Sequence, residues 1–242
     1  MSRPRRIGMI TPSSNTVVEP LTTRIVAPLG DAVSLHFTRI RVTRIALDEE
    51  SLGQFEEARM REAAALLADA GMDVIAWNGT SGSWKGLMAD RALVARLQAD
   101  TGVPVTTSTL DVLEACRTLG VTACGLATPY LAEIHDAIAR TYAAAGLRIA
   151  ASAHLGITVN REFADVPPAR IAALLRDVAV PRADALVVVC TNLAAAAVID
   201  DVERDTGLPV VDSLAATAWR TLRLAGVPAP VPGFGRLLAR DG

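Results

Sequence analysis

Short runs of β-branched and other apolar residues alternate along the chain with longer stretches in which apolar positions recur at helical spacing. The predicted strands are residues 7–10, 34–40, 74–77, 103–106, 123–127, 148–153, 185–189 and 209–211. The predicted helices are residues 55–70, 85–101, 108–119, 131–145, 168–178 and 214–224. Such alternation of strands and helices is typical of parallel sheets with right-handed crossover connections.

Segments of the first half of the chain recur in the second half in the same order. The matches are TGVPV at 101–105 with TGLPV at 206–210, DVIAWNGT at 73–80 with DALVVVCT at 184–191, and a Gly…Thr-Pro pattern at 8–12 with 125–129. We interpret them as an ancient duplication. The predicted fold is α/β, with two pseudo-symmetric Rossmann-like lobes that each contain a mainly parallel sheet of about four strands flanked by helices.

The repeat also predicts where the lobes and the site lie. Residues 1–115 form the first lobe and residues 116–214 the second, while residues 215–242 are expected to cross back to the first lobe. Ligands of open α/β sheets bind beyond the carboxyl ends of the strands, so we expect an active site in the cleft between the lobes. The predicted walls are residues 11–15 and 79–81 of the first lobe and residues 128–130 and 190–192 of the second.

Composition supplies material for a core and narrows the possible partners. Hydrophobic residues make up 51% of the chain and charged residues 21%, and the net charge is −2 without a basic block, which argues against nucleic acid. No charge-free apolar run reaches about 18 residues, so no membrane span is expected, and the absence of a signal-peptide pattern favours a cytoplasmic protein. The three cysteines lack metal-ligand spacing and no coenzyme motif is present, so neither a metal nor another cofactor is expected.

Cys190 is the candidate acid/base thiol. It follows an apolar run that predicts a buried central strand, so we expect its sulfur near the start of the next helix, where the pKa of a thiol is lowered. The alternative is a small buried hydrophobic residue, the usual role of a free cysteine. The repeat aligns Gly79 with Cys190, so the cleft offers a thiol on one face and bare backbone on the other. One-sided proton delivery to a substrate follows.

Neutral donors surround these two positions. Thr80 and Ser81 can stabilise developing negative charge as an oxyanion hole does, and the phenol of Tyr130 can reach a carboxylate. The further candidates for binding the carboxylate of a substrate are Pro12, Asn15, Asn160, Thr191 and Asn192. The structural alternatives for these residues are helix caps, turn formers and a packed aromatic ring. The shape of the pocket is expected to depend on segments 37–45, 82–84 and 159–163.

Several motifs together resemble the aspartate/glutamate racemase superfamily, in its branch of arylmalonate decarboxylases and maleate cis–trans isomerases. They are IGMITPSSNT at 7–16, GTS at 79–81, ATPY at 127–130, CTNL at 190–193 and PGFGRL at 232–237. The resemblance extends from Arg6 into the tail.

The two kinds of enzyme imply different chemistry at the matching positions. Maleate isomerases carry at position 79 a cysteine that attacks the double bond, and their second cysteine matches Cys190. Their tyrosine matches Tyr130, and their carboxylate-binding asparagines match Asn15 and Asn160. Arylmalonate decarboxylases have glycine, threonine and serine at 79–81, keep a single cysteine at position 190 as proton donor, and lack the asparagine at position 15. This chain combines an isomerase-like carboxylate site with decarboxylase-like chemical groups.

The resemblance implies a cofactor-independent enzyme that acts on a small mono- or dicarboxylate. The leading hypothesis is decarboxylation of a substituted malonate or similar small diacid, with Cys190 protonating an enediolate intermediate. One alternative is a maleate-type cis–trans isomerase or a one-base racemase, and another is a non-catalytic carboxylate-binding protein. The side chain of the substrate, the stereochemistry of the product and assembly into a homo-oligomer stay open.

Overall fold

The computed structural model describes residues 3–227 and 229–240. Its strands are β1 Arg5–Pro12, β2 Val33–Ile40, β3 Val74–Trp77, β4 Val105–Thr107, β5 Ala123–Thr128, β6 Arg148–His154, β7 Ala185–Val188 and β8 Val210–Asp212. Its α-helices are α1 Val18–Val26, α2 Glu49–Gly53, α3 Glu57–Asp69, α4 Gly82–Lys85, α5 Leu87–Thr101, α6 Ser108–Thr118, α7 Ala132–Ala144, α8 Pro168–Asp177, α9 Ile199–Thr206, α10 Ser213–Leu224 and α11 Gly235–Ala239. Short 3₁₀ helices lie at Ala27–Ala32, Asn160–Asp165 and Ala195–Ala197.

The strands form two four-stranded sheets with the same order, β2-β1-β3-β4 and β6-β5-β7-β8. Every pairing within them is parallel. The central strands β3 and β7 are apolar and buried along their whole length, as expected where helices cover both faces of a parallel sheet. The predicted α/β fold class is therefore confirmed.

A glycine shapes the chain just after β3. The sequence predicts a helix over residues 85–101, and the structure has α5 there at Leu87–Thr101, preceded by the single turn α4. Gly86 separates them with a φ of 103°, which is accessible to glycine and rarely to other residues. The loop at 79–81 is followed at once by the short helix α4.

Two helices are exchanged between the halves. Helix α10 contacts β3 and β4 of the first sheet, and helix α6 contacts β8 of the second. The two helices pack on each other, and Thr217 Oγ1 donates a hydrogen bond of 2.8 Å to Ser108 Oγ where they meet. Helix α10, which follows the last strand of the second sheet, thus packs against strands of the first sheet.

The end of the tail lies elsewhere than expected. Helix α11 contacts α9 and β8 of the second half, because carboxylates there accept hydrogen bonds from its first backbone amides. Asp200 accepts from Gly235, and Glu203 accepts from Arg236. The expectation that the tail lies on the first lobe is thus wrong for α11. The division at residues 115 and 116 stays a prediction, and residues 1, 2, 228, 241 and 242 of its ranges lie outside the described residues.

Candidate active site

A small cavity of about 20 Å³ lies where strands of both sheets end. Its lining consists of Pro12, Val42, Ile45, Phe55, Trp77, Gly79, Thr80, Ser81, Trp84, Tyr130, Asn160, Cys190, Thr191 and Asn192. The structure thus brings together all of the site residues expected from the sequence except Asn15. Their chemical roles stay predictions.

Cys190 lies in this cavity as a deeply buried thiol, with 1% of the residue exposed. Burial raises the pKa of Cys190 to about 12, although hydrogen bonds from the Tyr130 hydroxyl and from the amides of Asn192 and Leu193 act in the opposite direction. The expectation of a lowered pKa was wrong, because the next α-helix begins only at Ile199 and desolvation disfavours the thiolate. The thiol is therefore protonated at neutral pH and suited to donating a proton.

Tyr130 connects groups from the two halves of the chain. Its hydroxyl lies 3.0 Å from Thr80 Oγ1, and its interaction with the thiol of Cys190 acts to lower the pKa of that thiol. Edge-to-face contacts with Trp84 and Phe163 fix the ring, at centroid distances of 5.3 Å and 5.2 Å. Burial raises the pKa of Tyr130 well above its usual value, so the phenol stays neutral and can act as a hydrogen-bond donor.

The loop after β3 presents a second group of donors. Ser81 Oγ accepts a hydrogen bond of 3.1 Å from Trp77 Nε1, which leaves the proton of the hydroxyl free to point elsewhere. Within the described parts of the chain, the backbone amides of Thr80 and Ser81 donate to no protein carbonyl. Hydroxyls and backbone amides without a carbonyl partner are the donor types of which oxyanion holes are built.

Asn15 does not line the cavity but contacts Thr191, which does. Its Oδ1 accepts hydrogen bonds of 2.9 Å from the amides of Val17 and Val18 and so caps the start of α1. Its Nδ2 lies 3.4 Å from Thr191 Oγ1, which donates to the carbonyl of Asn78. Asn15 thus positions Thr191, and a direct contact between Asn15 and a ligand requires a change in this arrangement.

The other two asparagines tie three loops together. Asn160 donates through Nδ2 to Ser14 Oγ at 2.7 Å. Asn192 donates through Nδ2 to the carbonyl of Asn160 at 2.6 Å and accepts from the amide of Thr16 at 3.0 Å. Both residues also line the cavity, so they shape its wall and can contact a carboxylate bound there.

The family follows from comparison with known proteins. Residues 7–238 match the sequence model of a family described as arylmalonate decarboxylase. The chain belongs to the arylmalonate decarboxylase family. This confirms the resemblance seen in the sequence motifs. Among curated members, the arylmalonate decarboxylase of Bordetella bronchiseptica is 35% identical over 72% of this chain and 74% of that protein. A maleate isomerase of Geobacillus stearothermophilus is 29% identical over 99% of both chains.

Solved structures of both kinds of enzyme superpose on the whole chain. A cysteine-to-serine mutant of the Nocardia farcinica maleate cis–trans isomerase, with a covalently bound succinylcysteine intermediate, has a TM-score of 0.90 at 28% identity and covers 98% of this chain and 99% of that one. A liganded arylmalonate decarboxylase mutant, with one glycine changed to cysteine and one cysteine to serine, has a TM-score of 0.86 at 30% identity, with 97% and 98% covered. The chain thus belongs to a family whose curated relatives are enzymes of two reaction types.

Apolar residues of the arylmalonate decarboxylase fold complete the cavity, and the sequence interpretation had missed two of them, Phe55 and Trp77. Trp77 could have been recognised, because side chains two residues apart on a strand point to the same side and Gly79 follows it at that spacing. Phe55 reaches the site from a distant segment and gives no such signal.

Among the described residues, no group of three or more His, Cys, Asp and Glu side chains could hold a metal ion. None of the described helices has the length and apolar character needed to cross a bilayer.

Proposed function

We propose that the chain is a cofactor-independent decarboxylase of a substituted malonate or a similar small diacid. The observation that carries the proposal is the shared cavity of Cys190, a protonated thiol, and Gly79, which has no side chain. A proton donor on only one face of the substrate suits a reaction that ends in one protonation step. Two-sided proton transfer would need a second donor at position 79.

The cavity has a polar side and an apolar side, and a diacid can use both. One carboxylate would accept hydrogen bonds from Thr80, Ser81 and Tyr130. The other would lie against the apolar wall around Ile45 and Phe55, where an ionised group is poorly solvated and its loss as neutral CO₂ relieves that cost.

Bond cleavage places negative charge where the donors are. The electron pair of the broken C–C bond passes to the α-carbon and into the retained carboxylate, which becomes an enediolate. Donors already aimed at that carboxylate bind the enediolate more strongly, because its charge is larger. Each such donor is worth roughly 10²–10³ in rate.

Cys190 completes the reaction. Its S–H proton passes to the α-carbon, and the thiolate left behind is stabilised by the Tyr130 hydroxyl and the amides of Asn192 and Leu193. Solvent then returns a proton to the sulfur. Because no donor faces the carbon from Gly79, the product is a single enantiomer.

The test is CO₂ release from a panel of α-aryl and α-alkyl malonates. We expect turnover of at least one compound, and Cys190→Ala should lower kcat by about 10²–10⁴ because the proton donor is lost. Cys116→Ala is the matched control, since Cys116 is also a buried thiol and does not line the cavity. Failure of the folded protein to release CO₂ from the whole panel would overturn the proposal.

A second candidate is cis–trans isomerisation of maleate or a related enedioate. The relative with a succinylcysteine intermediate favours it, as do the asparagines at the site. In this chain the attacking thiolate would be that of Cys190, whose raised pKa opposes it. Loss of maleate ultraviolet absorbance, with a succinyl adduct on Cys190 in the intact mass, would favour isomerisation over decarboxylation.

Two further outcomes have distinct signatures. Solvent deuterium incorporated into a substrate without CO₂ release would indicate one-base racemisation. Thermal stabilisation by malonate or maleate without any product would indicate a carboxylate-binding protein.

A further inference from the structure

Trp77 occupies the space that a side chain on residue 79 would need. A Cβ built on Gly79 would lie 2.3 Å from Cζ2, 2.5 Å from Cε2 and 2.9 Å from Cη2 of the indole. Folded proteins do not tolerate such contacts, so the indole and a side chain at position 79 exclude each other.

The backbone of Gly79 gives no other reason for glycine. Among the described residues, the glycines with positive φ do not include Gly79. Residues with a Cβ avoid mainly that region of backbone conformation, so Gly79 could carry a side chain if space were available. The requirement for glycine therefore comes from Trp77.

The indole is not free to move aside. Trp77 is fully buried, its Nε1 donates to Ser81 Oγ at 3.1 Å, and its ring meets that of Phe55 edge-to-face at 6.4 Å. Displacement would break a buried hydrogen bond and disturb the packing of the cavity wall.

The second half of the chain has the opposite arrangement at the equivalent positions. The repeat that aligns Gly79 with Cys190 also aligns Trp77 with Val188. The first half thus has a large ring followed two residues later by no side chain, and the second half has a small side chain followed two residues later by a thiol. The half with the large side chain, Trp77, lacks a reactive group two residues later, and the half with the small side chain, Val188, has one.

We propose that Trp77 is a specificity-determining residue that confines proton transfer to the face of Cys190. It does so by filling the place of a second reactive side chain, and it positions Ser81 through the indole N–H. The inference rests on the proposed function, because it assumes that the reacting carbon lies between residues 79 and 190.

A stability cycle tests the steric part without any substrate. Gly79→Ala and Gly79→Cys should each lower Tm in the native background. The Trp77→Val background gives the first half the valine that the second half has at position 188. In this background the same changes at position 79 should lower Tm by no more than roughly half as much, because the clash with the indole is gone. Gly8→Ala is the control, since a Cβ there would meet Met72 and Leu67 instead, and its effect should add to that of Trp77→Val. If the decreases in Tm caused by the Gly79 substitutions were the same in the native and the Trp77→Val backgrounds, the inference would be overturned.

A stereochemical measurement tests the functional part. With a prochiral malonate that the native protein decarboxylates, Trp77→Val should still yield one enantiomer, because only one thiol is present. The double variant Trp77→Val/Gly79→Cys should yield product of lower enantiomeric excess than Gly79→Cys in the native background, and the α-hydrogen of that product should exchange in D₂O. A single enantiomer from the double variant would overturn the inference. Absence of CO₂ release by the native protein would overturn the proposed function instead, and the stability cycle would still decide the steric claim.

Discussion

At the scale of single residues, a buried carboxyl group acts on the pKa of the candidate proton donor, Cys190. Asp212 is fully buried and caps α10 by accepting a hydrogen bond of 3.0 Å from the amide of Ala215, while its Oδ1 has no partner among the described residues. Burial raises the pKa of Asp212 to about 7. Its negative charge in turn raises the pKa of Cys190.

This carboxyl group makes stability depend on pH. Its pKa is higher in the folded protein than in the unfolded chain, so the folded state binds more protons between about pH 4 and pH 7, and stability falls as the pH rises through that range. Asp212→Asn can keep the cap and cannot ionise. We expect this substitution to reduce, by up to about 2.6 kcal/mol, the loss of unfolding free energy between pH 5 and pH 8 in urea titrations.

A control separates this effect from that of charge in general. Asp201 is exposed, with 66% of its side chain accessible, and Asp201→Asn should leave the pH dependence unchanged. Asp90 and Asp111 are buried with raised pKa values and act in the same direction, so some pH dependence should persist in the Asp212 variant. An unchanged profile for Asp212→Asn would contradict the assignment.

The sequence located the polar residues of the site because they directly follow apolar strands, a local pattern. It could not predict the ionisation of Cys190, because burial by distant segments determines the pKa of the thiol and outweighs nearby amides. Phe55 was missed for a similar reason, since nothing in its own neighbourhood shows that it packs against Trp77.

At the scale of elements, the segment after β2 forms the roof of the cavity. Val42, Ile45 and Phe55 face the site, and hydrogen bonds of 3.2 Å join the amide of Asn160 to Thr43 and the amide of Ile45 to Thr158. A cavity of about 20 Å³ has room for about one water molecule. A diacid therefore needs more space than the cavity has in this arrangement.

The roof should control the size of the substrate. Ile45→Ala removes apolar bulk from the cavity wall, so we expect kcat/KM for malonates with a larger substituent to rise relative to smaller ones by about 10-fold. Leu47→Ala is the matched control, because Leu47 lies on the same segment, is 39% exposed and does not line the cavity. Equal shifts in both variants would contradict a specific role for Ile45.

The elements themselves were predictable to different degrees. Strands are marked by short apolar runs and were placed to within about two residues of their observed ends. The helices α1 and α9 were not predicted, and neither were the short helices α2, α4 and α11. Helix α1 contains Pro20 and several β-branched residues, and α9 is short and highly charged, so both lack the usual helical signal.

At the scale of the whole molecule, the exchanged helices join the halves into one folding unit. Without α10, the first half would expose the faces of β3 and β4 that this helix covers. Fragments 1–120 and 121–242, divided at the glycine loop after α6, should therefore be unfolded or aggregated alone and should form a stable complex when co-expressed. Size-exclusion chromatography and thermal denaturation would measure this. A monomeric first fragment that unfolds cooperatively at the Tm of the full chain would contradict it.

The duplication was visible in the sequence because turn and strand-end motifs recur with nearly constant spacing. The position of α11 was not, because it depends on hydrogen bonds from its backbone amides to Asp200 and Glu203, and the sequence motif of the tail does not reveal these partners. The repeat carries no information about α11, because this segment has no counterpart in the other half.

The exchange of α6 and α10 also bears on how such a protein could arise. A gene for one half would have produced a chain that buried its sheet only by swapping a helix with an identical copy, so the ancestor would have been a symmetric homodimer. Its active centre would have had two equal walls. Gene fusion would have allowed the two halves to diverge, and in this chain Trp77 and Gly79 stand where the other half has Val188 and Cys190.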